Sequence, residues 1–218
     1  MFTTDPSFNN VKIISCNNRK KCLFDILHPL FESLGLALDA RDKNTYLHSI
    51  EVADISSIIA SEIGLSKERI ELIHIAGHLH DIGKIGIPDN ILQKPEPLNR
   101  HEWEVIKSHP VIGANIISPL KKCFSSELID IVLYHHERFD GQGYPSGLRG
   151  KNIPLGARIV AVADAISAML QARPYRSAIP FEIVVQEILS NSGTQFCPLV
   201  VNAFKECIIK IKSYFKKN

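Results

Sequence analysis

Apolar residues recur along most of this chain at every third or fourth position, the period of a helix with one buried face. Leu30, Phe31, Leu34, Leu36 and Leu38 make a broad stripe, and Pro29 ahead of them suits a first helical position, where its missing N–H costs nothing. Val52, Ile55, Ile59 and Ile63 predict a second helix over about 45–63, with Gly64 at the C-cap. Ser66 fits the N-cap of a third, whose apolar run from Ile70 to Leu79 leads to His80. Asn99 and Glu102 have the spacing of a capping box, opening a helix to about Ser108. His109-Pro110 then breaks the pattern and starts a short helix to Ile117, and Ser126 is expected to cap one that ends at His135-His136. Residues 155–170 are apolar at almost every position and predict a central buried helix, followed by helices near 181–190 and 198–213.

Between these elements, Pro88, Pro95 and Pro97 mark an extended connection. The stretch 138–154, with Gly141, Gly143, Gly147 and Gly150, reads as a loop, either ordered for function or flexible at the surface. Strand signals are scarce. The pattern predicts an all-α domain of about eight helices with an extended glycine-rich loop: an arm over 1–28, the domain over 29–213 and a basic tail over 214–218.

Composition narrows the function. With 218 residues, 45% of them hydrophobic, the chain can bury a substantial core as one domain. A net charge of +2 argues against a broad nucleic-acid-binding face but permits a local basic pocket. The five cysteines are odd in number, scattered and without a Cys-x-x-Cys pair, so they read as reduced thiols. Residues 1–10 are polar, without a signal-peptide core, and no apolar run approaches the ~20 residues that cross a bilayer. These features fit a cytoplasmic protein without membrane insertion.

The nine histidines are the compositional oddity. His80-Asp81 puts an imidazole nitrogen beside a carboxylate, and a carboxylate can bridge two metal ions. Lys84, about one turn on, can reach an anion bound there. His48, His80, Asp81, His109, His135 and His136 all fall near segment ends, and Asp164 lies in an apolar helix where an unpaired carboxylate is costly. Five imidazoles with two carboxylates suit iron, manganese or zinc better than magnesium. Each histidine alone also has a bland reading as a helix-end residue. His74 reads as structural, His78 as a support behind the ligands, and His28 and His101 as surface residues without partners in sequence.

Taken in order, several motifs resemble the HD-GYP family, bacterial cyclic di-GMP phosphodiesterases of the HD metallohydrolase superfamily. They are Arg41-Asp42, His80-Asp81-Ile82-Gly83-Lys84-Ile85-Gly86-Ile87-Pro88, His109-Pro110, His135-His136-Glu137 and Gly141-Gln142-Gly143-Tyr144-Pro145. Pro154-Leu155-Gly156-Ala157-Arg158-Ile159, Arg173-Pro174-Tyr175-Arg176 and Gly193-Thr194-Gln195-Phe196 complete the match. The resemblance implies metal ligation by His48, His80, Asp81, His109, His135, His136 and Asp164, with Asp81 bridging two divalent ions, iron or manganese. It implies substrate contacts from Asp42, Lys84, Tyr144, Arg173 and Arg176. The implied reaction is hydrolysis of cyclic di-GMP to linear pGpG, and onward to GMP, by a hydroxide held between the ions, with Asp81 and Lys84 as the catalytic pair. Implied protein partners are a diguanylate cyclase or another signalling protein, and a second copy of the chain.

Three departures bear on this expectation. Asn44 stands where related chains carry tyrosine, or glutamate when a third metal binds, which favours two metals. Ser167 stands where an acidic residue is usual, so a carboxylate expected near Lys84 or the metals is missing. Residues 170–172 replace a polar run. Two alternatives follow: a metal-bearing cyclic di-GMP sensor with weak turnover, and a hydrolase of another cyclic dinucleotide such as cyclic GMP-AMP.

Overall fold

The computed structural model describes residues 19–41, 47–171 and 178–217. Asp42, Asn44, Arg173 and Arg176 therefore lie outside the described residues. Among those described, the chain is all-helical, with one isolated bridge between Ser192 and Phe196. The helices are α1 (Arg19–Arg41), α2 (His48–Glu62), α3 (Lys67–Leu79), α4 (Asp89–Leu92), α5 (Arg100–Ile106), α6 (His109–Ile117), α7 (Glu127–Tyr134), α8 (Leu155–Leu170), α9 (Phe181–Ser190) and α10 (Pro198–Lys217). These are ten among the described residues, counting α4, a single turn inside the proline-marked connection.

Two helix ends differ from the sequence expectation. α1 begins at Arg19, well before Pro29, which sits inside the helix. Its first residues, Arg-Lys-Lys, are good helix formers without an apolar period, so propensity extends the helix where patterning gives no signal. α10 runs on through Lys217 because Phe204, Cys207 and Ile211 continue one buried face and Phe215 packs against the same core.

The caps show which local signals hold. Asn99 Oδ1 accepts from Glu102 N at 2.9 Å while Glu102 Oε2 accepts from Asn99 N at 2.8 Å, a complete capping box. Ser66 Oγ accepts from Arg69 N at 3.4 Å. Ser126 makes no capping bond; its neighbour Ser125 accepts from Glu127 N at 3.0 Å instead. α2 has no cap of its own, and Leu47 precedes it at φ 66°. The carboxylate of Asp39 on α1 serves it from outside, accepting from Ser49 N at 3.0 Å and Ser49 Oγ at 2.8 Å.

The core is built around α2, whose Val52, Ile55 and Ile59 are fully buried and which packs on α3, α8 and α10. α8 presents Ile159, Val160, Val162, Ala163 and Ile166 to it. α3, α7 and α8 pack on one another, while α6 lies against α7 and the turn after α3. This packing brings the ends of α3, α6 and α7 towards one place beside α2 and α8. No helix among the described residues is long and apolar enough to cross a membrane.

Candidate metal centre

Each of the seven expected ligands sits where a helix begins, ends or is buried. His48 and His109 open α2 and α6. His80-Asp81 follow α3, His135-His136 follow α7, and Asp164 lies on α8. The fold gathers all seven into two groups: His48, His80 and Asp164, and Asp81, His109, His135 and His136, the ligand atoms of each within 4.8 Å of one another. In the first, His48 Nε2 is 3.2 Å and His80 Nε2 4.0 Å from Asp164 Oδ1. In the second, His109 Nε2 stands 3.3 Å from His135 Nε2. Asp81 joins the groups: Oδ2 lies 3.3 Å from His80 Nε2, and Oδ1 lies 3.2 Å from His109 Nε2. One carboxylate thus turns an oxygen to each set.

The ring orientations are fixed from behind. Nδ1 of His80, His109 and His135 donates to the carbonyl three residues back, Gly77 at 2.8 Å, Ile106 at 2.8 Å and Val132 at 2.7 Å. A carbonyl only accepts, so Nδ1 carries the proton and the Nε2 lone pair is left for a metal. These bonds arise locally, because a histidine just past or at a helix boundary can reach a carbonyl of the adjoining turn.

His48 is held differently, and here Ser167 acquires a role. His48 Nδ1 lies 2.8 Å from Ser167 Oγ, and the Ser167 hydroxyl donates to Glu51 Oε2 at 2.5 Å. Gln171 Nε2 donates to the same oxygen at 2.9 Å. Ser167 is fully buried and lies behind His48, so of the two places expected for position 167, near Lys84 or near the metals, it takes the second. The carboxylate absent at 167 is supplied one bond further out by Glu51. Sequence reading missed Glu51 and Gln171; their only signal is spacing, Glu51 three residues after His48 and Gln171 four after Ser167.

Electrostatics separate the groups. Burial by itself would raise the Asp81 carboxyl, but the charges of Lys84 and His80 and a hydrogen bond from His109 hold it well below the usual carboxylate range. Asp164 is likewise driven down against burial, by its hydrogen bond and attraction to His48 and by His80. Burial disfavours charge on His80, yet Asp81 and Asp164 raise it to about 9. His135 is held well below its ordinary value, and His136 at about 3, by burial and then by neighbouring imidazoles. His80 Nε2 is buried without a well-aligned hydrogen bond. A buried nitrogen drawn towards positive charge by two ionised carboxylates, beside the neutral imidazoles of His135 and His136, fits a divalent cation that displaces its proton, and the nitrogen-rich set fits a transition metal.

Two glycines allow the walls to close. The turn Ile82–Gly86 packs so tightly on α6 that a Cβ on Gly83 would stand 1.9 Å from the His109 carbonyl oxygen. Lys84 in this turn sets Nζ 2.6 Å from Asp81 Oδ2. Arg41 at the end of α1 clamps the turn, donating to Lys84 O at 2.6 Å and Ile87 O at 2.7 Å. A Cβ on Gly143 would lie 2.3 Å from Arg138 N, so only glycine lets the loop fold back on His136. Tyr144 N then donates to His136 O at 3.2 Å, with the two rings 4.8 Å apart. Burial and the charges of Asp81 and Asp164 push the Tyr144 phenol up, so it stays protonated. The loop is ordered: Phe139 N and Asp140 N donate to Gln195 O at 3.1 Å and Thr194 O at 2.8 Å, which explains the Gly-Thr-Gln-Phe motif. His101 is exposed as expected, whereas His28 is not without partners: its ring stacks on His74 at 4.9 Å.

Comparison with known proteins agrees with this geometry. The HD domain family profile matches residues 30–199. A cyclic di-GMP phosphodiesterase of Thermotoga maritima is 42% identical over 193 residues, 88% of this chain and 52% of that protein. The cyclic di-GMP phosphodiesterase response regulator RpfG of Xanthomonas campestris pv. campestris is 42% identical over 170 residues, 78% of this chain and 45% of that one. A 3'3'-cGAMP-specific phosphodiesterase of Vibrio cholerae is 34% identical over 177 residues, covering 81% and 34%. This chain thus spans about half or less of these relatives' lengths. Among solved structures, a cyclic GMP-AMP phosphodiesterase of V. cholerae superposes with a TM-score of 0.67 at 22% identity, covering 84% of this chain and 49% of that one. The HD domain of Listeria monocytogenes PgpH, in complex with cyclic-di-AMP, gives 0.58 at 20% identity, covering 84% and 96%. With its His-Asp pair at the meeting point of two ligand groups, the chain belongs to the HD domain family, in its HD-GYP group.

Proposed function

We propose that this chain hydrolyses cyclic di-GMP to linear pGpG at a centre of two divalent ions, iron or manganese. The observation that carries the reading is Asp81, whose two oxygens face two separate ligand groups. His48, His80 and Asp164 would hold one ion and His109, His135 and His136 the other, with Asp81 shared. When bound, such a pair lowers the pKa of a shared water and neutralises charge on phosphoryl oxygens. Around it the chain supplies orientation and charge. Backbone carbonyls fix three imidazoles and the Ser167–Glu51 pair fixes a fourth. Lys84 can turn from Asp81 to a phosphate oxygen once a cation takes its place beside that carboxylate. Tyr144 offers a protonated phenol at the rim. Asp42, Arg173 and Arg176 join the substrate site on their motifs alone.

Two observations rank the alternatives. Two relatives named for cyclic di-GMP are 42% identical and others 34–35%, while those named for 3'3'-cGAMP run from 33 to 38%, so cyclic di-GMP is tested first and 3'3'-cGAMP second. A turnover-poor sensor drew its support from Ser167 and Asn44; the Glu51 carboxylate behind Ser167 speaks against the first, and Asn44 lies outside the described residues. The test is anaerobic purification with ferrous iron or manganese, counting of bound metal, and product analysis with both dinucleotides. Metal-dependent formation of pGpG is the expected result, and the same assay shows whether GMP follows. Binding of cyclic di-GMP without turnover in the fully loaded protein would overturn the proposal.

A further inference from the structure

A second histidine cluster lies outside the centre described above. His28 comes from α1, and His74 and His78 from α3, four residues apart and so on one helix face. Each offers a nitrogen, and these atoms lie within 4.8 Å of one another. His74 Nε2 and His78 Nε2 face each other at 3.2 Å. The His28 ring stacks on His74 at 4.9 Å and meets His78 edge-on at 5.5 Å.

We propose that His28, His74 and His78 form a separate metal site that takes a divalent ion of the zinc class and ties α1 to α3. Nitrogens ~2.0–2.1 Å from a tetrahedral zinc stand about 3.3–3.4 Å apart, so the His74–His78 pair already has the required separation. Only half-buried His28 must close in. The ring of His74 is oriented for ligation: Nδ1 lies 3.0 Å from Ser57 Oγ and 3.9 Å from Asp54 Oδ1, which leaves Nε2 for the ion. Burial, the largest influence on His74, keeps it in the neutral form that ligates, and the carboxylates of Asp54 and Glu32 acting on it offset a cation's charge. Three imidazoles with no thiolate select zinc, copper or nickel over magnesium or calcium and leave a fourth position for water. The ion would anchor the middle of α1, whose far end carries Arg41 onto the Lys84 turn.

The test counts zinc in folded full-length protein dialysed against Zn2+ alone, for wild type, His28→Ala, His74→Ala, His28→Asp and Asp81→Ala. Wild type and His28→Asp, which keeps a ligand, should hold one more equivalent per chain than His28→Ala and His74→Ala. Asp81→Ala should keep the His28-dependent equivalent, and Co2+ in that protein should show tetrahedral d–d bands that a further His28→Ala change weakens by the intensity of one site. Equal zinc uptake by wild type and His28→Ala, both verified as folded by circular dichroism, would overturn the site. Because the readout is metal at His28, this result is distinguishable from failure of the phosphodiesterase reading.

Discussion

Removing the Ser167 hydroxyl should loosen metal binding at His48 without unfolding the domain. In Ser167→Ala, His48 Nδ1 loses its acceptor at 2.8 Å, and Glu51 Oε2 loses the donor at 2.5 Å but keeps Gln171 at 2.9 Å. A buried donor left unsatisfied costs ~1–3 kcal/mol. Loss of a partner behind a metal-bound histidine typically costs ~10–100-fold in affinity, which is ~1.4–2.7 kcal/mol, so the two routes agree. The assay is Mn2+ binding by chelator competition, with turnover measured at saturating metal. A carboxylate at 167 tests the direction. Ser167→Asp alone sets a second acid against Glu51, whose own carboxyl burial already pushes up, and two adjacent carboxylates cannot both ionise. Ser167→Asp should therefore bind metal less well than Ser167→Asp with Glu51→Gln, which leaves one carboxylate beside His48. Metal affinity and turnover of Ser167→Ala within twofold of wild type would refute the relay.

Three further outcomes follow from the same contacts. Asp81→Ala should fail to retain both ions of the Asp81 centre, because no other described side chain turns an oxygen to both ligand groups; metal analysis after dialysis in a His28→Ala background, which leaves out the separate site, checks this. Arg173→Ala should keep its metal and weaken cyclic di-GMP binding by ~1.5–3 kcal/mol, the range of a lost charged hydrogen bond, while Lys84→Ala should lower kcat more than affinity; titration and steady-state kinetics separate them. Asp39→Ala should lose ~1–3 kcal/mol of stability in urea denaturation by orphaning Ser49 N at the start of α2. Asp39→Asn, which still accepts that bond and no longer buries a charge that desolvation disfavours, should lose much less.

The sequence by itself determined the helical character and the capping box at Asn99, and it named the seven side chains that the fold brings into two groups. Those signals are local: an apolar period, a side chain three residues from its partner, or histidines and aspartates at helix boundaries. Tertiary structure decided what stands behind them. Ser167 and Glu51 are 116 positions apart, and Asp39 reaches Ser49 only because α1 packs beside the start of α2. His28 looked solitary until α1 was laid against α3 and its ring met His74. Periodicity states which face of a helix is buried, but the partner of that face depends on crossing angles and on close approaches such as Gly83 against His109. A polar side chain on a buried face therefore acquires its role only when the neighbouring helix is in place.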